Sequence, residues 1–255
     1  LLYQPSFPYA VSLLPFFDVP RWVYSWAGFD GVHYLGIAAR GYVGTGLVQA
    51  FFPLTPVLIA LIHYLTNLNF LLSGLLLNQI ASLLACFLLW QVWKTELGKQ
   101  AAGYGLLWWL VFPTAFFTAA FYSESTFLVL SLGCWLLAKR AKWWLAGILA
   151  AFASATRIVG IWLIPLLLFE LLAQTQWQWT LDRKIIGKWW QQHWSKLLAI
   201  ALGVVGLGSY MLYLWWEFHD PLYFLHLQSD FGAGRQTNLV LWPQVVWRGL
   251  HILLT

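Results

Sequence analysis

Between Phe29 and Pro56 the chain places a carboxylate, an imidazole, a guanidinium and two phenols, in Asp30, His33, Tyr34, Arg40 and Tyr42. Gln49-Ala50-Phe51-Phe52-Pro53-Leu54 and a long series of apolar segments follow. These protonatable groups are therefore expected where membrane meets water, a place suited to chemistry on a lipid-borne substrate. Asp30 by itself has a plainer explanation, because Asp is a favoured helix cap and Val32 to Ala39 reads as a short helix. Capping does not explain why the other four groups accompany it, and ionisable groups near lipid rarely lack a role.

Three further polar points interrupt the apolar sequence. Glu124, in Phe121-Tyr122-Ser123-Glu124-Ser125, stands at the junction of two apolar segments, where it reaches outer water or faces a cavity. Ser123 as a cap, with Glu124 at the positive helix end, explains the same residues, and the two readings are compatible. Arg157, in Thr156-Arg157-Ile158-Val159-Gly160, lies between two apolar stretches. Its planar donor fork calls for a phosphate or an acid, and an ion pair with Glu124 is the structural alternative to phosphate binding. The loop Phe218-His219-Asp220-Pro221-Leu222 runs on through Gln228 to Arg235. Asp220-Pro221 is turn grammar, while His219, Gln228 and Arg235 are candidate donors to phosphate or sugar hydroxyls. Asp30 and His33 have helical spacing for a metal pair but lack a third ligand nearby. The chain has no Walker or dinucleotide glycine loop, no CxxC, no HExxH and no GxSxG, so no cofactor or metal is expected from motifs.

The elements that must position these groups are apolar helices. The chain is 61% hydrophobic and only 9% charged, with a mean hydropathy of +0.69, whereas a soluble domain is about a quarter charged. This predicts an integral membrane protein, all-α, with residues 1–255 forming one membrane domain: a loop with interfacial helices over 1–50, and a helical bundle over 51–255. Spans are predicted at about 70–93, 101–119, 122–138, 143–157, 159–174 and 197–217, with an unfinished segment from about 240. The piece at 51–64 falls short of the roughly 20 apolar residues of a span and is read as re-entrant or interfacial. Residues 175–196, with five Trp among Gln and Lys, read as an amphipathic surface helix. Lys94, Lys99, Lys139, Arg140, Lys142, Arg183, Lys184, Lys188 and Lys196 are then cytoplasmic, and Asp30, Glu124, Arg157 and the 218–238 loop lie on the opposite face. The net charge of +5 reports orientation rather than a nucleic-acid partner, since the cations are scattered over short loops. Cys86 and Cys134 lie within apolar segments and behave as small hydrophobes. The opening Leu1-Leu2-Tyr3 and the apolar close at Thr255 suggest a fragment lacking helices at both ends.

Phe29-Asp30-Gly31-Val32-His33-Tyr34, Arg40-Gly41-Tyr42, Phe51-Phe52-Pro53-Leu54-Thr55-Pro56, Phe121-Tyr122-Ser123-Glu124-Ser125, Ala155-Thr156-Arg157 and Asp220-Pro221-Leu222, taken in order, resemble the PIG-V family. These are the GPI mannosyltransferase 2 enzymes and their bacterial relatives, within the GT-C superfamily. The resemblance covers nearly the whole chain. It implies a polytopic enzyme that takes mannose from a polyprenyl- or dolichyl-phosphate carrier on the outer or lumenal face of a bacterial or endoplasmic-reticulum membrane. The family's first loop carries a Trp-Asp pair needed for activity. Its Asp matches Asp30, and Phe29 stands where the family has Trp, keeping an aromatic platform without the indole donor. A lipid phosphate is already a good leaving group, so the expected work is to deprotonate an acceptor hydroxyl and stabilise the departing phosphate. Asp30, poised by a half-buried site, is the expected general base, with inversion at the anomeric carbon. Arg157, Arg40, His219 and Arg235 are the phosphate candidates; Glu124, Tyr122 and Gln228 would hold sugar hydroxyls, with His33 and Tyr34 beside them. The expected partners are the lipid-linked sugar, a glycolipid or glycan acceptor, and membrane lipid. Two rivals are a polyprenyl-lipid flippase, which predicts mid-membrane charge in an internal repeat that is not visible here, and a GT-C enzyme for another sugar.

Overall fold

A computed structural model describes residues 19–42, 47–177, 180, 182–231 and 242–254. Among these the chain is all helical, without a strand. In order come α1 (Arg21–Tyr24), α2 (Asp30–Arg40), α3 (Leu54–Thr66), α4 (Phe70–Leu97), α5 (Lys99–Val111), α6 (Glu124–Lys139), α7 (Trp143–Thr156), α8 (Leu163–Gln174), α9 (Arg183–Ala201), α10 (Gly203–Phe218), α11 (Tyr223–His226) and α12 (Trp242–Leu254). Short 3-10 turns at Ser25–Ala27, Leu47–Ala50, Ala115–Thr118, Ile158–Trp162 and Leu227–Phe231 join some of them.

The longest helix is α4, with 28 residues. Asn69 caps it by accepting from the Leu72 amide at 2.8 Å, and Gly98 at φ 89° ends it, which is ordinary cap chemistry at both ends. It is the one described helix long and apolar enough alone to cross a membrane; α9 and α10, bent by 43° at their junction, pass together. The apolar helix α3 has 13 residues and reaches about 20 Å at about 1.5 Å per residue, short of a hydrocarbon core of about 30 Å. The span predicted at 101–119 is not continuous. Pro113 holds Phe112 extended (φ −62°, ψ 135°), as a residue before proline prefers, and α5 stops at Val111. The surface helix predicted over 175–196 and the span over 197–217 have a different boundary as well, because one helix runs on to Ala201 before the chain bends into α10.

Close packing explains where that bend lies. A Cβ on Gly206 would come 1.9 Å from the Ala151 carbonyl oxygen, and one on Gly147 would come 1.8 Å from that of Ala199. Small residues let α7 meet α9 and α10 backbone to backbone, as in tightly packed membrane helices. Ser154 locks the crossing by donating to the Gly203 carbonyl at 2.7 Å and accepting from the Leu207 amide at 3.1 Å.

The contacts define two ends. Ser125 on α6 bonds to Asn78 on α4, while Lys139 lies 4.0 Å from Glu96, so α4 and α6 run parallel. Along α4 those levels are separated by 18 residues, about 27 Å. Glu124 lies at the first level. Lys94, Lys139, Arg140 and Lys142 lie at the second, where Lys139 also pairs with buried Glu170 at 3.2 Å. The bent α9–α10 rod joins the two levels. Trp189 reaches Thr175 near the cationic end, and Tyr210 reaches Gln49 at the other.

Candidate functional site

The site is assembled at the end away from the lysines. The turn into α2 is made by Phe29, whose φ of 52° and ψ of −120° form a conformation that a bulky residue rarely adopts. Phe29, not Asp30, is the N-cap, and Asp30 is the first residue of the helix, where a carboxylate suits the positive helix end. One turn later Tyr34 lies on the same face. The segment leading to α3 is held from below: Tyr42 donates to the Phe51 carbonyl at 2.7 Å and Tyr210 to that of Gln49 at 2.6 Å. Asp30, Tyr34, Phe51, Phe52, Thr156, Arg157 and Gln228 thereby line a cavity of roughly 230 Å³.

Arg157 also forms part of a second, larger cavity of roughly 510 Å³. This one is mostly apolar, with Trp109, Phe112, Phe117, Phe127, Leu128 and Val159 around Glu124. The extended backbone at Arg157 (φ −153°, ψ 145°) breaks the helix between α7 and the following 3-10 turn, and so presents its side chain between the two hollows. Its Nη1 donates to Glu124 Oε1 at 2.5 Å and to Ser123 Oγ at 3.3 Å. Tyr34 donates to the same Ser123 oxygen at 2.9 Å. Burial pushes the Tyr34 phenol up to about 12, although the Ser123 bond and Arg157 act the other way. Tyr34 is therefore a neutral donor at pH 7. Glu124 supplies the countercharge that a partly buried guanidinium needs.

Ser123 occupies the N-cap position of α6 without making a side-chain cap bond; its hydroxyl serves Tyr34 and Arg157 instead. Asp30 is exposed at the rim of its cavity, not half-buried as expected, while Gly31, Val32 and Leu35 of the same helix take the buried positions. His33 stacks on Phe51 with ring centroids 4.6 Å apart, and burial lowers its pKa. Tyr122 is buried, its ring 5.5 Å from that of Phe117. Gln228 lines the polar cavity and donates to the Phe224 carbonyl at 3.3 Å. Arg40 is exposed in the last turn of α2, and His219 is exposed at φ 56° as the C-cap of α10. Neither is among the residues lining the two cavities. Arg235 lies outside the described residues.

Sequence reasoning missed Ser123 as the shared acceptor, and it missed the aromatic wall of Trp109, Phe112 and Phe117. It also missed a partner within the predicted loop, where Asp220 Oδ2 meets His226 Nδ1 at 2.6 Å. That bond is the main cause holding the Asp220 carboxyl below its ordinary value. Among the described residues no three His, Cys, Asp or Glu side chains converge as a metal site.

No family model, no curated protein and no solved structure matches this chain.

Proposed function

We propose that the chain is a polytopic membrane glycosyltransferase of GT-C type, moving mannose from a polyprenyl- or dolichyl-phosphate donor to a glycolipid or glycan acceptor with inversion. The observation that carries this reading is that Arg157 belongs to the walls of both cavities, one polar and one apolar. A lipid-phosphate sugar has the same three parts in the same order. The first isoprene units suit the aromatic hollow, the phosphate suits the guanidinium at the junction, and the sugar suits the polar hollow with Asp30, Thr156 and Gln228.

In the reaction the acceptor oxygen forms a bond to the anomeric carbon as the bond from that carbon to the phosphate oxygen breaks. The electron pair leaves with the phosphate, which Arg157 stabilises. Asp30 takes the acceptor proton and passes it to water. Both bonds given to Arg157 leave from Nη1, so the Glu124 pair orients the guanidinium while its other edge serves the phosphate. Arg40 and His219 are assigned no step. The site's distance from Lys94, Lys139 and Arg140 supports an outward-facing cavity, since the cationic end of a membrane protein faces the cytoplasm.

The deciding experiment supplies radiolabelled polyprenyl-phosphate mannose to membranes carrying the protein or Asp30→Asn. Transfer by the first and near-complete loss in the second, at equal amounts of folded protein, is expected. Normal turnover by Asp30→Asn removes it as base, and no transfer by the unaltered protein removes the reading.

A further inference from the structure

A separate groove lies on the flank of the molecule near its cationic end. Phe87, Leu88 and Gln91 of α4, Gly133, Leu136 and Leu137 of α6, and Arg140, the C-cap of α6, enclose roughly 310 Å³. Gly133, Leu136 and Leu137 recur at i, i+3 and i+4, so one stripe of α6 forms a wall, and Arg140 stands at its end as the C-cap. The lining is apolar except for Gln91 and Arg140.

Arg140 and Lys139 differ in what they meet. Lys139 is occupied by Glu170 and Glu96, with the Trp135 ring 4.5 Å from its ammonium. Arg140 is exposed and has no acid partner among the described residues, and the same is true of Lys142 two residues on. Ala141 between them, at φ 56°, turns the chain out of α6 at this point. An apolar trough that opens beside uncompensated cations, at the level where α4 ends, has the division of an anionic amphiphile.

We propose that this groove is a binding site for an anionic phospholipid. One acyl chain lies along α4 and α6, the ester region meets the Gln91 amide, and the phosphate pairs with Arg140, with Lys142 adding to the field. Charge complementarity selects the occupant, because a zwitterionic lipid offers the same chain but brings its own cation to the arginine. Basic pockets between membrane helices on the cytoplasmic side hold anionic head groups for this reason. The inference takes α4 to lie in a bilayer and is independent of glycosyl transfer.

The test is native mass spectrometry of the full chain in detergent, titrated with phosphatidylglycerol or phosphatidylcholine of identical chains. Phosphatidylglycerol is expected to be retained about tenfold more strongly, the scale of one charge-assisted hydrogen bond. Arg140→Gln should remove most of that preference, and Leu88→Trp, which narrows the trough, should weaken both lipids. Equal retention of the two lipids by the unaltered protein overturns the proposal. So does a phosphatidylglycerol preference undiminished in Arg140→Gln, retention unaffected by Leu88→Trp, or an equal loss in Lys188→Gln, a cation outside the groove. Mannosyl transfer assayed on the same preparations is a separate readout, so failure of the lipid site and failure of the enzymatic reading are distinguishable.

Discussion

Tyr34 and Arg157, 123 positions apart in the chain, donate to one hydroxyl oxygen, Ser123 Oγ, at 2.9 and 3.3 Å. The helix that begins with Asp30 is thereby tied to the guanidinium placed between the two cavities. Ser123 is buried, so the tie is shielded from competing water, and the position of the proposed base relative to the proposed phosphate site depends on it.

Removing the phenolic oxygen breaks that tie without emptying the core. Tyr34→Phe is expected to lower stability by about 1 kcal/mol, the net worth of a typical hydrogen bond, and to lower transfer more than the stability change explains. Thermal unfolding and turnover of the variant, measured together, check this. Unchanged turnover would show that Arg157 is held well enough by Glu124 alone.

Arg157→Gln removes the charge at the junction and leaves Glu124 without its cation. Loss of a preorganised donor facing developing charge lowers turnover about 10²- to 10³-fold, and that is the expected fall. Arg157→Lys keeps the charge but not the fork, and should recover only part of the activity. Equal activity in the lysine variant and the unaltered protein would count against fork recognition of phosphate.

Gly206→Ala tests the α7–α10 contact. Its methyl would have to displace the Ala151 backbone, 1.9 Å away, and overpacking of that kind costs about 1–3 kcal/mol. A lowered melting temperature is expected, together with weaker activity, because α10 carries the Tyr210 that holds Gln49 and Phe51. Gly103→Ala, where an added Cβ meets nothing within 4 Å, is the control and should not destabilise.

The burial that lowers the His33 pKa makes stability depend on pH. The unfolded chain binds the proton first as pH falls below about 6.5, so this group does not weaken the fold above that value. Its destabilising contribution grows as pH falls from there to the lower folded pKa and is then complete. Unfolding of the protein and of His33→Phe, compared between pH 8 and pH 5, should show a drop in the first that is smaller in the second. Parallel curves would mean that protonation of His33 is not resisted by its packing on Phe51.

Local chemistry made a good part of this molecule legible in its sequence. The apolar run from Phe70, with Asn69 before it and Gly98 after it, determines α4, because cap and periodicity are properties of neighbouring residues. Asp30, Glu124 and Arg157 were visible as polar interruptions, since charge in an apolar sequence needs a physical reason. Pro113 and its effect on Phe112 were visible in principle, but apolar composition on both sides hid the break.

Which groups meet was decided only by the tertiary structure. Nothing local in Ser123 distinguishes a cap from an acceptor shared by α2 and Arg157, and its local features pointed to the cap. His219 and Arg40 have the right chemistry, yet one lies at an exposed helix end and the other at the last turn of α2, outside both cavities. The bend after Ala201 follows from where α7 allows close approach, a constraint set by residues some fifty positions earlier. Side-chain type and spacing are local properties, whereas convergence depends on helix crossings, and these are set by contacts distant in the chain.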